Sequence, residues 1–118
     1  MAYLIFFQCP SHVVHTGAAA FKIEEGVYVY VGSCGASCAK RVARHLRRPA
    51  ARRWHVDYLM CEGLYAAVVP LGEREAARRL ARGCPYVPGF GSTDDPEAPS
   101  HLFRCSVAEA LSYIGLTT

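Results

Sequence analysis

The chain has 118 residues, 52% of them hydrophobic, which fits one domain with a buried core and excludes a disordered chain. Its net charge of +3 is modest, but seven of the thirteen basic residues fall between Lys40 and Arg53, and no Asp or Glu lies between Gly26 and Val56. Such a stretch either attracts a polyanion or is a solvated helix face.

Residues 3–8 read as a strand with Tyr3, Ile5 and Phe7 on one face. The run is too short to span a membrane and lacks the basic leader and small-residue cleavage site of a signal peptide. The expectation is a cytoplasmic protein with no membrane association. Residues 12–24 are less regular and suit a short hairpin. Residues 27–31 form a strand with Tyr28 and Tyr30 on one face and the valines on the other.

Residues 38–48 read as a helix stopped by Pro49. Ala39, Val42, Ala43 and Leu46 make its apolar stripe; Arg41, His45 and Arg48 make a second stripe, and Lys40, Arg44 and Arg47 a third. A second helix is expected over 54–61, ended by Gly63, then a strand over 64–71 and a helix over 73–82 ended by Gly83. The segment 84–100, rich in Pro, Gly, Ser and Asp, reads as loop and 101–104 as a short strand. Ser106-Val107-Ala108-Glu109 is a capping box that opens a last helix through Ile114. Strands and helices do not strictly alternate, so the expected class is α/β in the α+β sense: a small mixed, mainly antiparallel central sheet flanked by helices.

The six cysteines include no CxxC pair, which argues against a zinc ribbon or finger. Cys34 and Cys38 read as helix-start thiols packing inward rather than as metal ligands with His45. Two states fit the set: buried thiols acting as small apolar residues, or disulfides of the kind found inside hyperthermophile proteins. Arginine outnumbers lysine eleven to two and there is no asparagine, traits of a high-temperature or GC-rich source. If the source is a hyperthermophile, Cys84 and Cys105 are the preferred disulfide pair, because they bracket the Pro- and Gly-rich loop.

Candidate chemistry begins at Gly-Val-Tyr-Val-Tyr-Val-Gly-Ser, residues 26–33, a two-tyrosine strand running into a basic helix. Taken alone it is also what β-propensity produces. Arg41 and His45 lie one helical turn apart and project together. Arginine suits phosphate through its planar donor fork, and histidine adds a proton carrier. Glu73 shares the inward stripe of Ala76, Ala77 and Leu80. It is either a favourable charge at a helix N-terminus or an inward metal ligand, and helix physics alone favours the first. Trp54 reads as core rather than a base-stacking platform, and His55 and Asp57 as helix-start partners.

Taken in order, these pieces resemble the GIY-YIG nuclease superfamily, nearest to a branch found as stand-alone chains or joined to a DNA-glycosylase-type repair domain. The likeness covers nearly the whole chain. It rests on the opening strand with Tyr3, the 26–33 motif, Arg-Val-Ala-Arg-His-Leu-Arg at 41–47 and Trp-His-Val-Asp-Tyr-Leu at 54–59. Glu73 opening a helix, Gly-Phe-Gly-Ser-Thr-Asp at 89–94 and Ser-His-Leu-Phe at 100–103 complete it.

The resemblance implies a single GIY-YIG-like domain over 1–118. Tyr30 would stand for the tyrosine of the YIG half and Tyr3 for that of the GIY half. Arg41 and His45 would join them as catalytic residues, and Glu73 would hold one Mg2+ or Mn2+ ion. Lys40, Arg44, Arg47, Arg48, Arg52 and Arg53 are the expected contacts to the nucleic-acid backbone. The implied function is a metal-dependent DNA endonuclease hydrolysing phosphodiester bonds in repair or recombination, on branched or damaged DNA, with room for a DNA-repair protein partner. The sequence departs from the superfamily in three ways. Tyr3 and Tyr30 are much further apart than its two halves, a late asparagine is missing (Ser92, Asp94 or His101 could take its place), and the 94–99 loop carries no cysteine. The rivals are a non-catalytic nucleic-acid-binding module and a basic protein-interaction domain.

Overall fold

The structure, a computed structural model, describes residues 1–17, 19–47, 59–91 and 98–115, with backbone alone at 45–47. Strands β1 (Ala2–Cys9), β4 (Gly26–Ser33), β5 (Glu62–Val69) and β6 (Leu102–Arg104) form one antiparallel sheet in the order β5-β1-β4-β6. Strands β2 (His12–His15) and β3 (Ala20–Ile23) pair as a separate hairpin. Helices α1 (Cys38–Arg47), α2 (Glu73–Ala81) and α3 (Val107–Ile114) complete the described elements. The result is the expected small α+β architecture with an antiparallel central sheet. The long interval between Tyr3 and Tyr30 is taken up by the β2–β3 hairpin. No helix among the described residues is long and apolar enough to cross a membrane.

The sheet is covered on both faces, and the period-two alternation of its strands sorts side chains between two cores. Tyr3, Ile5, Phe7 and Cys9 of β1 join Tyr28 and Tyr30 of β4, Phe21 and Ile23 of the hairpin, and Phe90. Ala2, Leu4 and Phe6 join Val29 and Val31 on the other face, where Ala76, Ala77 and Leu80 of α2 and Ala110 and Ile114 of α3 pack.

Helix α2 has acidic residues in its first turn and Arg78 and Arg79 in its last, which complements the helix dipole. Glu75 bonds both arginines, and those bonds hold its carboxyl below the usual carboxylate range. Arg79 also donates to the Ile114 carbonyl at 2.6 Å, tying α2 to the end of α3. The capping box of α3 forms as expected, with Ser106 and Glu109 bonding reciprocally and Gly115 closing the helix at φ 91°.

Several expectations are corrected. Ala39 is exposed, and α1 packs through Cys38 and Val42 instead. Of the helix expected over 54–61, residues 54–58 lie outside the described residues and Leu59, Met60 and Cys61 are not helical. Cys61 is bonded to Cys9 at the end of β1, and the Met60 amide donates to His12 Nε2 at 3.2 Å; both hold the segment along the sheet edge. Gly63 sits inside β5 rather than ending a helix, and the strand stops at Val69 because Pro70 has no N–H for the ladder. Segment 84–91 runs back along β6, with the Val87 N–H donating to Leu102, and the Gly89 N–H reaches Pro99.

The six cysteines form three disulfides: Cys9–Cys61, Cys34–Cys38 and Cys84–Cys105. The last is the preferred pair, with a Cα separation of 5.6 Å.

Candidate active site

The N-terminal end of β1, the C-terminal end of β4 and the entry to β6 meet at one end of the sheet, where α1 and α2 also begin. Tyr3, Tyr30, Gly32, Ser33, Arg41, Glu73, Gly91 and His101 line a polar cavity of about 210 Å³ there. Four residues singled out from the sequence, Tyr3, Tyr30, Arg41 and Glu73, therefore share one cavity although they come from four different elements.

Cross-strand geometry places the tyrosines. Tyr3 stands opposite Gly32 and Ile5 opposite Tyr30, so the two rings are diagonal neighbours, with centroids 6.5 Å apart and planes inclined by 45°. Both rings are nearly buried. Room for them is made by two glycines. A β-carbon on Gly32 would overlap the Tyr3 ring, and one on Gly91, whose φ is +71°, would stand 3.2 Å from Tyr30 Cε1.

Arg41 lies on the first turns of α1, and its Nη1 donates to the Ser33 carbonyl at 2.7 Å. That bond uses one of five guanidinium N–H donors and fixes the plane of the rest. Glu73, the first residue of α2, is about one-third exposed, neither sunk in the helix-side core nor turned to bulk water. Its Oε2 is 3.8 Å from Nδ1 of His101, which is only 3% exposed. The backbone of His101 is held on both sides, its N–H donating to Phe90 at 2.8 Å and its carbonyl accepting from Val31 at 2.9 Å.

Of the other residues singled out from the sequence, Lys40 is exposed on α1 and Arg44 is half-buried, with its Nε shielded from solvent. His45 and Arg47 belong to α1 by backbone, but their side chains lie outside the described residues. So do Arg48, Arg52 and Arg53, together with Trp54, His55, Asp57, Ser92 and Asp94. Gly32, Ser33 and Gly91 were missed as cavity residues. His101 was one of three alternatives for a polar position and lies beside Glu73, while Ser92 and Asp94 fall outside the described residues.

A larger cavity of about 420 Å³ is lined by Phe21, Lys22, Tyr28, Tyr86 and Arg104 among others. Size does not make it the better candidate. Arg104 is engaged with the Glu24 carboxylate at 3.3 Å and the Glu25 carbonyl at 2.5 Å, whereas the smaller cavity gathers an arginine, a carboxylate, an imidazole and two phenols.

The fold and cavity thus define a small α+β domain with a polar, titratable site at one end of its sheet. The chain belongs to the family described as domain of unknown function DUF123, whose model matches residues 2–115. No curated protein and no solved structure matches it.

Proposed function

We propose that the protein is a divalent-metal-dependent endonuclease that hydrolyses phosphodiester bonds in DNA, with GIY-YIG-like chemistry. The observation that carries this reading is the convergence of Tyr3, Tyr30, Arg41 and Glu73 on one cavity. The likeness in motif order and the basic character of α1 support it.

The donor set fits a divalent ion. Glu73 offers a partly exposed carboxylate in a polar cavity, and hard divalent ions take carboxylate oxygens. No cluster of three or more His, Cys, Asp or Glu exists among the described residues, so water and phosphate oxygens would supply the remaining ligands. When bound, the ion supplies charge stabilisation to the departing oxygen.

The chain's own residues do the rest. Arg41, oriented by its bond to Ser33, holds a non-bridging phosphate oxygen and balances the charge that develops there. The hydroxyls of Tyr3 and Tyr30 orient a water molecule for attack on phosphorus and pass its proton on to solvent, while the bond to the leaving oxygen breaks and that oxygen takes up a proton from solvent. Lys40 and the neighbouring arginines of α1 bind the flanking phosphates. Branched or damaged DNA in repair or recombination is the substrate class.

The test is a Mg2+ and Mn2+ titration against duplex, branched, single-stranded and RNA substrates, with Glu73→Gln beside the parent. Glu73→Gln keeps the shape and removes the charge. The expected outcome is retained fold and DNA binding with loss of metal-dependent cutting. Cutting at the parent rate would reduce Glu73 to a helix-end charge, worth about 0.3–1 kcal/mol, and remove this reading.

A further inference from the structure

We propose that His101 is a second protein ligand beside Glu73, and that the cavity therefore prefers a borderline divalent ion such as Mn2+ over Mg2+. The inference rests on the reading of Glu73 as an ion ligand and names the class of ion that reading leaves open.

Three observations carry it. The first is the distance. His101 Nδ1 and Glu73 Oε2 are 3.8 Å apart, too far for a hydrogen bond but near the spacing of two donors on one ion. Metal–ligand bonds of about 2.0–2.2 Å put neighbouring donors roughly 3–3.5 Å apart, so a few tenths of an ångström of movement by the partly exposed Glu73 closes the site.

The second is how His101 is held. It is buried, and its backbone is locked between Phe90 and Val31. Ser100 beside it is pinned in turn, its hydroxyl accepting from the Leu102 amide at 3.0 Å. An imidazole fixed in this way needs little further ordering to serve as a ligand.

The third is donor chemistry. Mg2+ keeps oxygen ligands and water, whereas Mn2+ and the later divalent ions accept an imidazole nitrogen beside a carboxylate. Ligation would use Nδ1, the ring nitrogen 3.8 Å from Glu73 Oε2. A histidine that merely steadied Glu73 would give no such preference.

The experiment uses the full chain and Mn2+ as the probe, read by electron paramagnetic resonance and by the ¹⁴N modulation of its spin echo. The parent is expected to bind one Mn2+ with a ¹⁴N coupling of imidazole type. Glu73→Gln should lose the site. His101→Asn, checked for fold by its melting transition, should lose the coupling and bind Mn2+ about tenfold more weakly or worse, with Mg2+ affinity by competition shifting less than about threefold. Bound Mn2+ without ¹⁴N coupling in the parent, lost on Glu73→Gln, would overturn the role of His101 and leave Glu73 as the ligand. Mn2+ binding untouched by Glu73→Gln, or no binding by the parent, would overturn both. The parent spectrum decides even if His101→Asn does not fold.

Discussion

Tyr3 and Gly32 are partners across the β1–β4 ladder, and the tyrosine ring fills the space that a side chain at position 32 would need. Tyr3 Cε2 lies 2.6 Å from where a β-carbon would stand. Because the ring is buried, it can yield only by leaving its place beside Tyr30.

Gly32→Ala is therefore expected to cost about 1–3 kcal/mol through overpacking and to reduce DNA cleavage at least about tenfold by displacing the Tyr3 hydroxyl. Chemical denaturation measures the first effect and cleavage rate the second. In a Tyr3→Ala background the same glycine change should cost little more. Simple additivity in that double-mutant cycle would show that the two residues are not in contact.

Removing two cations from α1, as Arg44→Ala with Arg47→Ala, is expected to weaken DNA binding at low salt and to lower the salt slope by roughly one for each phosphate no longer neutralised. Since Arg44 is half-buried, a modest loss of stability should accompany it. Binding isotherms at several salt concentrations test this, and an unchanged slope shifts the weight to a protein partner.

The disulfides make a separate prediction. Cys84–Cys105 spans 21 positions and Cys9–Cys61 spans 52. On the chain-entropy view their loss costs roughly 3 and 4 kcal/mol respectively. Denaturation of Cys84→Ala with Cys105→Ala, and of the parent with and without reductant, should show these losses. Alkylation of the unreduced, denatured parent should find no thiol; six reactive thiols would refute all three bonds.

Tyr28 gives a dependence on pH. Its hydroxyl donates to the Glu24 carbonyl at 2.7 Å and accepts from the Glu24 amide at 3.1 Å. Burial raises its pKa above the ordinary tyrosine value, opposed by the nearby Arg104 charge and the backbone bond. The native protein thus keeps this proton longer than the unfolded chain does. The associated stability is complete below the ordinary value, about 10, and is lost as pH rises through the raised one. Tyr28→Phe should lose about 1–2 kcal/mol at neutral pH and show a shallower alkaline decline. An equally steep decline would assign the effect elsewhere.

What could be read from the sequence follows physical locality. The tyrosine and valine faces of β4 and the odd-numbered face of β1 depend only on alternation, α2 only on its own stripe, and α3 on its own cap and stripe. Ala39 failed because α1 carries several short stripes and local periodicity does not say which meets the sheet. The 54–61 helix failed in its last three residues because Cys61 is tied to Cys9, a partner that six cysteines alone do not identify among fifteen connectivities. Gly32 and Gly91 read as strand-end and loop glycines, and only the approach of Tyr3 and Tyr30 gives them their meaning. Glu73 was ambiguous on its helix for the same reason: the cavity it faces is assembled from β1, β4, α1 and the loop residues Gly91 and His101.

The alternation of β1 has a consequence for how the protein can change. Tyr3, Ile5 and Phe7 belong to the layer that holds the cavity, while Leu4 and Phe6 belong to the layer beneath α2 and α3. Substitutions at the even positions can alter thermal tolerance with the tyrosine positions untouched, so the two properties can drift apart independently. Deleting Ile5 would instead shift the residues ahead of it by one register, sending the Tyr3 phenol under the helices and Leu4 into the tyrosine layer. The central strand thus tolerates spelling changes on one side far better than any change of frame.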